Sequence, residues 1–148
     1  YVTAFNTIPA DAAYDIIVNL AGHPIADSRW TKKTKDKIII SRLSTTQKVI
    51  DHIERQTIKP KVFISGSAIG IYGLGKDNNS VRESESRDSS FSSSLCYQWE
   101  TLAKQALLMN IRTCILRTGI VLGNNEGALK KMLPPFKLGL GLHHSRDT

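Results

Sequence analysis

Three short apolar runs constrain the fold of this chain more than any other feature of its sequence. They are DIIVNLAG at 15–22, KVFISGSA at 61–68 and RTCILRTG at 112–119. Each run is rich in β-branched residues and ends among small ones. Their apolar character is continuous rather than alternating, which is typical of strands in a parallel sheet that is covered on both faces. The runs therefore predict three buried, parallel strands.

Two stretches with helical spacing lie between these runs. The first extends from about Thr31 to Gln56, and the second from about Ser92 to Met109. The apolar residues expected to share a face are Ile39, Leu43, Ile50 and Ile53 in the first helix, and Trp99, Leu102, Ala103 and Ala106 in the second. Ser92, Ser93 and Ser94 are candidate N-caps of the second helix. Strand–helix alternation predicts two right-handed βαβ crossovers, and so an α/β, Rossmann-like, doubly wound parallel sheet.

Two further segments have a different character. From Leu74 to Ser94 the chain is polar and Ser-rich, with no periodicity. Because ligands of doubly wound sheets bind beyond the carboxyl ends of strands, this segment is either a loop beside the functional site or an ordinary surface loop. The last segment, 127–148, predicts a short helix that stops at Pro134-Pro135, and no second domain.

Charge and composition argue against several classes of protein. The net charge is +7, but the aromatic residues are not interleaved with the lysines and arginines, so a solvated basic face is favoured over nucleic-acid binding. No apolar run approaches the roughly 18 residues that would span a bilayer, and a soluble, cytoplasmic protein is expected. Cys96 and Cys114 are expected to be free thiols, and the four histidines are too scattered to predict a metal site.

A dinucleotide-binding fold normally opens with a strand and a glycine-rich turn that holds the pyrophosphate. No such turn precedes residue 15. The first strand is therefore interpreted as a central one, and the first βαβ unit of the fold is expected to be missing from residues 1–148. We predict on this ground that these residues alone bind a dinucleotide weakly or not at all.

The ends of the first two strands carry the candidate binding residues. Small residues in the NLAG segment, which comprises Asn19, Leu20, Ala21 and Gly22, suit the adenosine or ribose part of a dinucleotide, although a tight turn explains Gly22 equally well. In SGSAIGIYG, Ser65 and Ser67 alternate to one side of Gly66, which lets the backbone pass near a ligand. The serine hydroxyls either bind substrate or cap the turn.

An ordered series of motifs resembles one family. The pieces are NLAGHPIADSRWT (19–31), SRLSTT (41–46), SGSAIGIYG (65–73), CYQWE (96–100), LRTGIVLG (116–123) and GALKKMLPPFKLGLG (127–141). Together they are similar to the YfcH-like NAD-dependent epimerase/dehydratase family, an atypical branch of the extended short-chain dehydrogenases. The resemblance covers about residues 15–141 and implies that residues 1–148 form part of an NAD(P)-binding Rossmann domain.

The resemblance also implies a cofactor, NADP more often than NAD, and a small-molecule substrate, with a homodimer as a further expectation. In the wider superfamily a Ser or Thr stands at the position of Ser67, and a Tyr-x-x-x-Lys pair follows on the next helix. Here the positions of that pair are Cys96 and Glu100. A carboxylate one turn from a thiol raises the thiol pKa, which is the opposite of activation.

Ser67, Tyr72 and Tyr97 remain as candidate catalytic residues, and each tyrosine has a structural alternative. The resemblance places Arg117 and Gly119 beside the cofactor, and Arg117 pairs either with an anion in the cleft or with Glu100. The expected function is that of a sugar-nucleotide epimerase, dehydratase or reductase with an unknown substrate. The alternative is a catalytically silent dinucleotide sensor or scaffold.

Overall fold

A computed structural model describes residues 5–25, 30–73, 89–123 and 127–139. The chain forms two compact units, Tyr1–Thr118 and Gly119–Thr148. The first unit contains three parallel strands, in the order β1 (Ile16–Asn19), β2 (Val62–Ala68) and β3 (Arg112–Thr118). The three predicted strands and their parallel pairing are confirmed.

The first predicted helix is confirmed as α1, Lys32–Arg55. Thr31 precedes it as N-cap, and the Thr31 hydroxyl accepts a hydrogen bond of 3.2 Å from the backbone N–H of Thr34. Its buried residues are Ile38, Arg42, Thr46, Val49, Ile50, His52 and Ile53. Ile39 and Leu43 are only half-buried, so the buried face is centred one residue before the predicted stripe and includes polar side chains.

The second helix, α2, spans Phe91–Ala103 and continues as a 3-10 helix through Lys104–Met109. Two expectations are wrong here. The N-cap is Ser90, whose hydroxyl accepts from the Ser93 N–H at 3.2 Å, rather than one of the three later serines. The polar loop predicted up to Ser94 therefore ends earlier, and its residues 74–88 lie outside the described ranges. A run of several serines offers several equivalent caps, which is why the sequence did not select one.

Both helices pack on the same face of the sheet. Successive strands advance in one direction across the sheet, and right-handed crossovers that advance in one direction lie on one side. The core between them consists of Val49, Ile50, Ile53, Phe63, Ala103, Ala106 and Ile111. On the opposite face, Val18 and Leu116 are 54% and 44% exposed, so in the described part of the chain the sheet is not covered on both faces as expected.

The second unit contains the helix α3, Gly127–Lys137. The expectation that this helix stops at Pro134-Pro135 is wrong, because both prolines lie inside it. A proline lacks the N–H that would bond one turn back, but its carbonyl still accepts. The Leu138 N–H donates to the Pro134 carbonyl at 3.2 Å, so the helical bonding resumes beyond the two prolines.

These elements make the first unit a Rossmann-like α/β fold, with three parallel strands and two crossover helices. No helix in the described ranges is both long and apolar enough to cross a bilayer. Those ranges also contain no cluster of three or more His, Cys, Asp or Glu side chains that could hold a metal ion. In sheets of this kind, ligands bind at the edge where the strands end.

Acidification is expected to destabilise the fold through His52. This residue is buried on α1 against the rings of Phe5 and Tyr14, with centroids 5.9 and 6.3 Å away. Burial, and then the nearby charge of Arg55, lower the pKa of His52 below its usual 6.5. In the unfolded chain His52 takes up a proton near pH 6.5, whereas in the folded protein it does so only at lower pH. The free energy of unfolding should therefore fall as the pH drops from about 6.5 towards the pKa of folded His52.

Urea unfolding of the wild-type protein and a His52→Gln variant between pH 7.5 and about 5 tests this expectation. The variant should lose part of the pH dependence. An unchanged slope in the variant would assign the acid sensitivity to other groups.

Candidate active site

Polar side chains gather where β1 and β2 end. Asn19 and Ser65 are partners in register on neighbouring strands, and Ser67 follows two residues later on the same side of β2. All three are at most 5% exposed. The Ser65 hydroxyl donates to the Gly66 carbonyl at 3.3 Å. These side chains point into the interface with the helices, so they shape the edge of the sheet from beneath.

Thr46 of α1 connects this edge to both helices. Its hydroxyl oxygen accepts hydrogen bonds of 2.9 Å from Asn19 Nδ2 and from the indole Nε1 of Trp99 on α2. The Asn19 Oδ1 in turn accepts from the backbone N–H of Ala21 at 3.2 Å, which fixes the start of the loop after β1. Sequence reasoning missed Thr46, because a threonine inside a helix gives no signal of its partners.

Gly66 has a structural role that is evident from its surroundings. A Cβ at this position would lie 3.3 Å from Cη2 of Trp99, closer than an ordinary contact. The glycine therefore lets the indole pack against the end of β2. This close approach explains the small residue without a ligand.

Glu100 of α2 is the centre of a buried ionic network. Its carboxylate, in a side chain that is 3% exposed, accepts bonds of 2.8 Å from Ser67 Oγ and from Nε and Nη2 of Arg117 on β3. Lys104 Nζ lies 3.7 Å away. Burial opposes the ionisation of Glu100, but the hydrogen bonds from Arg117 and Ser67 outweigh it and hold its pKa below the usual value. Of the two interpretations of Arg117, the ion pair with Glu100 is present.

Tyr72 is joined to this network through the same arginine. It ends the 3-10 turn Ile69–Tyr72, which follows β2 directly. The Nη1 group of Arg117 donates to the Tyr72 hydroxyl oxygen at 2.9 Å, and the guanidinium lies 5.2 Å from the centre of the ring. Because the phenol oxygen accepts from Arg117, its own O–H is left to donate a hydrogen bond elsewhere.

Cys96 stands one turn before Glu100 and is 5% exposed. Burial raises the pKa of its thiol, and the charge of Glu100 adds to the increase. The thiol pKa is thus raised, as the spacing of Cys96 and Glu100 predicts, and burial is the larger cause. The thiol stays protonated near neutral pH and is a poor nucleophile.

The remaining sequence-predicted residues are exposed. Tyr97 is 44% exposed on α2. Leu20, Ala21 and Gly22 are exposed in the loop after β1, and Gly119 opens the second unit. The structure therefore brings Ser67, Tyr72 and Arg117 together through Glu100, and leaves the NLAG loop as an exposed rim.

The loop after β1 is attached to α1 at His23. The backbone N–H of this residue donates to Ser41 Oγ at 2.9 Å, and its carbonyl accepts from Arg42 Nη1 at 3.1 Å. A Cβ on Gly22 would lie 3.0 Å from Cζ of Arg42, so a larger residue would require the guanidinium to shift by a few tenths of an ångström. The SRLSTT segment was noted as a motif, but the role of Arg42 was not visible in the sequence.

Comparisons with known proteins identify relatives that are named epimerase family proteins. The chain is 39% identical over 127 residues to epimerase family protein YfhF of Bacillus subtilis, which covers 86% of this chain and 41% of the relative. It is 35% identical over 127 residues to the chloroplastic SDR39U1 homolog of Arabidopsis thaliana, covering 84% of this chain and 36% of that protein. The chain thus spans about two-fifths of the length of these relatives.

Two solved structures also resemble this chain. A crystal structure of human epimerase family protein SDR39U1 (isoform 2) with NADPH superimposes with a TM-score of 0.75 at 31% identity, covering 88% of this chain and 44% of the human chain. The nucleoside-diphosphate sugar epimerase of Corynebacterium glutamicum gives 0.67 at 25% identity, covering 83% and 25%. The model of the NAD dependent epimerase/dehydratase family matches residues 2–138, and this chain belongs to that family.

Proposed function

We propose that the protein binds NADP or NAD and interconverts hydroxyl and carbonyl groups of a small-molecule substrate, as an epimerase or a reductase. A sugar nucleotide is the favoured class of substrate, since a relative of known structure is a nucleoside-diphosphate sugar epimerase. The observation that carries the proposal is the Ser67–Glu100–Arg117–Tyr72 network at the ends of β2 and β3. Ligands of doubly wound sheets bind at this edge.

The rim of the sheet fits a dinucleotide. Leu20, Ala21 and Gly22 are exposed beyond β1, and Gly22 packs closely on the Arg42 guanidinium. We assign these three residues to direct contact with the cofactor. Asn19, Ser65 and Gly66 support the rim from below, and Gly119 is assigned to the nicotinamide side by family resemblance. A bound nicotinamide supplies hydride transfer to or from a substrate carbon.

Among the candidate acids, Tyr72 is the one that we assign to proton transfer. It is half-buried at the end of β2, and Arg117 holds its oxygen. Tyr97 stands one residue after Cys96 on α2 and is exposed, so we assign it to the surface around the substrate. The Ser67 hydroxyl donates a hydrogen bond to Glu100. Ser67 is therefore a positioning residue for the ion pair between Glu100 and Arg117, which supports Tyr72.

A catalytically silent dinucleotide sensor is the second candidate function. The observation that favours it is the pair at the usual Tyr and Lys positions: Cys96 has a raised thiol pKa, and Glu100 is held in an ion pair. Neither can perform the proton relay of the wider superfamily. The two candidates differ in whether a substrate is converted.

Cofactor binding and turnover separate these candidates in one set of measurements. Saturating NADPH, at about 100 times its Kd, should stabilise the intact protein by about 2.7 kcal/mol in a thermal-shift assay. A Tyr72→Phe variant should bind NADPH equally well but convert an active sugar or carbonyl substrate at least roughly 100-fold more slowly, as expected for loss of a general acid. Ser67→Ala should reduce the rate less.

Tyr14→Phe is the matched control, because Tyr14 lies before β1 against His52. It should keep the wild-type rate. Absence of any NADPH-induced shift would refute dinucleotide binding. Binding without conversion of any substrate in the panel would favour the sensor.

A further inference from the structure

Arg42 is a buried cation that the proposed chemistry does not use. It lies on α1 and is 8% exposed. Its Cζ stands 5.3 Å from the centre of the Trp99 ring, and a Cβ on Gly22 would lie 3.0 Å from the same atom. Nη1 donates to the carbonyl oxygens of His23 and Ile38, at 3.1 and 3.3 Å.

No carboxylate in the described ranges pairs with this guanidinium. The ion pairs found there join Asp15 to Lys61, and Glu100 to both Arg117 and Lys104. Arg117 therefore shows how a guanidinium in this region is normally compensated. A buried charge without a counterion is costly, and such charges are retained mainly where a ligand uses them.

The unused donors of Arg42 form one edge of the group. A guanidinium has five N–H donors, and Nη1 carries two of them. The two described acceptors both face Nη1, so Nε–H and the two Nη2 hydrogens have no acceptor among the described residues. The Nε and Nη2 edge is the geometry that binds a carboxylate or phosphate with two parallel hydrogen bonds.

The Nε and Nη2 edge of Arg42 lies on the ligand side of the sheet. Gly22 lies three residues beyond the end of β1. The Trp99 ring, which contacts the Arg42 guanidinium, also packs against Gly66 near the end of β2. Burial lowers the pKa of Arg42, and the charge of the nearby Cys96 thiol acts in the opposite direction. Arg42 thus faces the same helix as the network of Ser67 and Glu100.

We propose that Arg42 is the anion-binding residue of the substrate subsite, and that it takes a carboxylate or phosphate group of the substrate through Nε and Nη2. This inference deepens the proposed function, because it assigns an anionic class of substrate to the same cleft. The loop at Gly22 and His23 forms the cover of the subsite, and Trp99 forms its floor.

Malonate is the probe for a carboxylate, and inorganic phosphate the probe for a phosphate group. The melting temperature of the intact protein is followed against each anion at constant ionic strength, with neutral malonamide as control. At least one anion should give a saturable rise that malonamide does not give. Arg42→Gln should weaken the apparent Kd by at least tenfold, and Arg42→Lys should also weaken it, since an ammonium lacks the bidentate edge.

Two control variants separate charge from loop structure. Ser41→Ala removes the other hydrogen bond that holds His23, without changing charge, and Arg112→Gln removes an exposed arginine at the far end of β3. Arg112→Gln should retain the wild-type Kd, and Ser41→Ala should weaken it clearly less than Arg42→Gln does. If Arg42→Gln does not fold, Arg42→Lys decides the question. An unchanged Kd in the folded Arg42 variants, or an equal loss in Ser41→Ala, would overturn the proposal, as would the absence of a saturable shift with either anion.

A final arm repeats the titration with saturating NADPH. Shifts from anion and cofactor should add, since the anion belongs to the substrate. Mutual exclusion would overturn the proposal by assigning Arg42 to a phosphate of the cofactor. If NADPH itself gives no shift while the Arg42-dependent anion shift persists, the dinucleotide proposal fails and the anion subsite stands.

Discussion

Replacing Glu100 with alanine should destabilise the protein by about 3–5 kcal/mol, the range found when one partner of a buried ion pair is removed. The Glu100 side chain is only 3% exposed. Its removal leaves the guanidinium of Arg117 without its bidentate acceptor and Ser67 Oγ without its partner. The free energy of unfolding in urea measures the loss. Turnover should fall as well, because Arg117 would no longer be held against Tyr72.

The double variant Glu100→Met, Arg117→Leu is the informative control. It removes both charges and leaves no uncompensated ion, so it should be more stable than Glu100→Ala. Asp15→Asn, which breaks an exposed salt bridge to Lys61, should produce no measurable change. A double variant as unstable as the single one would show that Glu100 acts through packing rather than through its charge.

The parallel strands and crossover helices were predictable because they depend on local patterns. The continuous β-branched runs predicted β2 and β3 within one residue at each end, whereas β1 ends three residues before its run does. Thr31 and Gln56 bound α1 as expected. The errors are also local in origin. Several serines compete for the cap of α2, and a proline pair inside α3 removes hydrogen bonds without ending the helix.

The candidate site was predictable only in part, because its contacts join residues that are far apart in the chain. The spacing of Cys96 and Glu100 on one helix was enough to predict a thiol pKa raised above its usual value. Sequence could not choose between an anion and Glu100 as the partner of Arg117, since that pairing depends on how α2 crosses β3. Arg42 and Thr46 were not selected at all, since their partners on β1 and α2 lie 19 to 53 residues away.

One exchange of charge explains much of this site. The positions that carry a phenol and an ammonium in the wider superfamily here carry a thiol and a carboxylate. The carboxylate of Glu100 requires a cation, which Arg117 supplies from β3, and the same guanidinium then reaches the phenol of Tyr72 from the end of β2. Phenol and cation are thus again adjacent, but they come from two strand ends instead of one helix.

Thr46→Val is expected to be the second most damaging substitution, although it preserves shape. Valine fills the same volume but removes the oxygen that accepts from both Asn19 Nδ2 and Trp99 Nε1. Each buried donor left without an acceptor costs about 1–3 kcal/mol, so the loss of both should cost about 2–6 kcal/mol in urea unfolding. The loop after β1 should also loosen, because Asn19 orients the Ala21 N–H, and the affinity for NADPH should fall.

Thr46→Ser is the matched control. It keeps the hydroxyl and removes one buried methyl group, which should cost about 1 kcal/mol. The order of stability should therefore be wild type, then serine, then valine, the reverse of the order of hydrophobicity for the two variants. A valine variant more stable than the serine variant would mean that apolar packing, rather than acceptance of the two hydrogen bonds, determines how the ends of β1 and β2 are held.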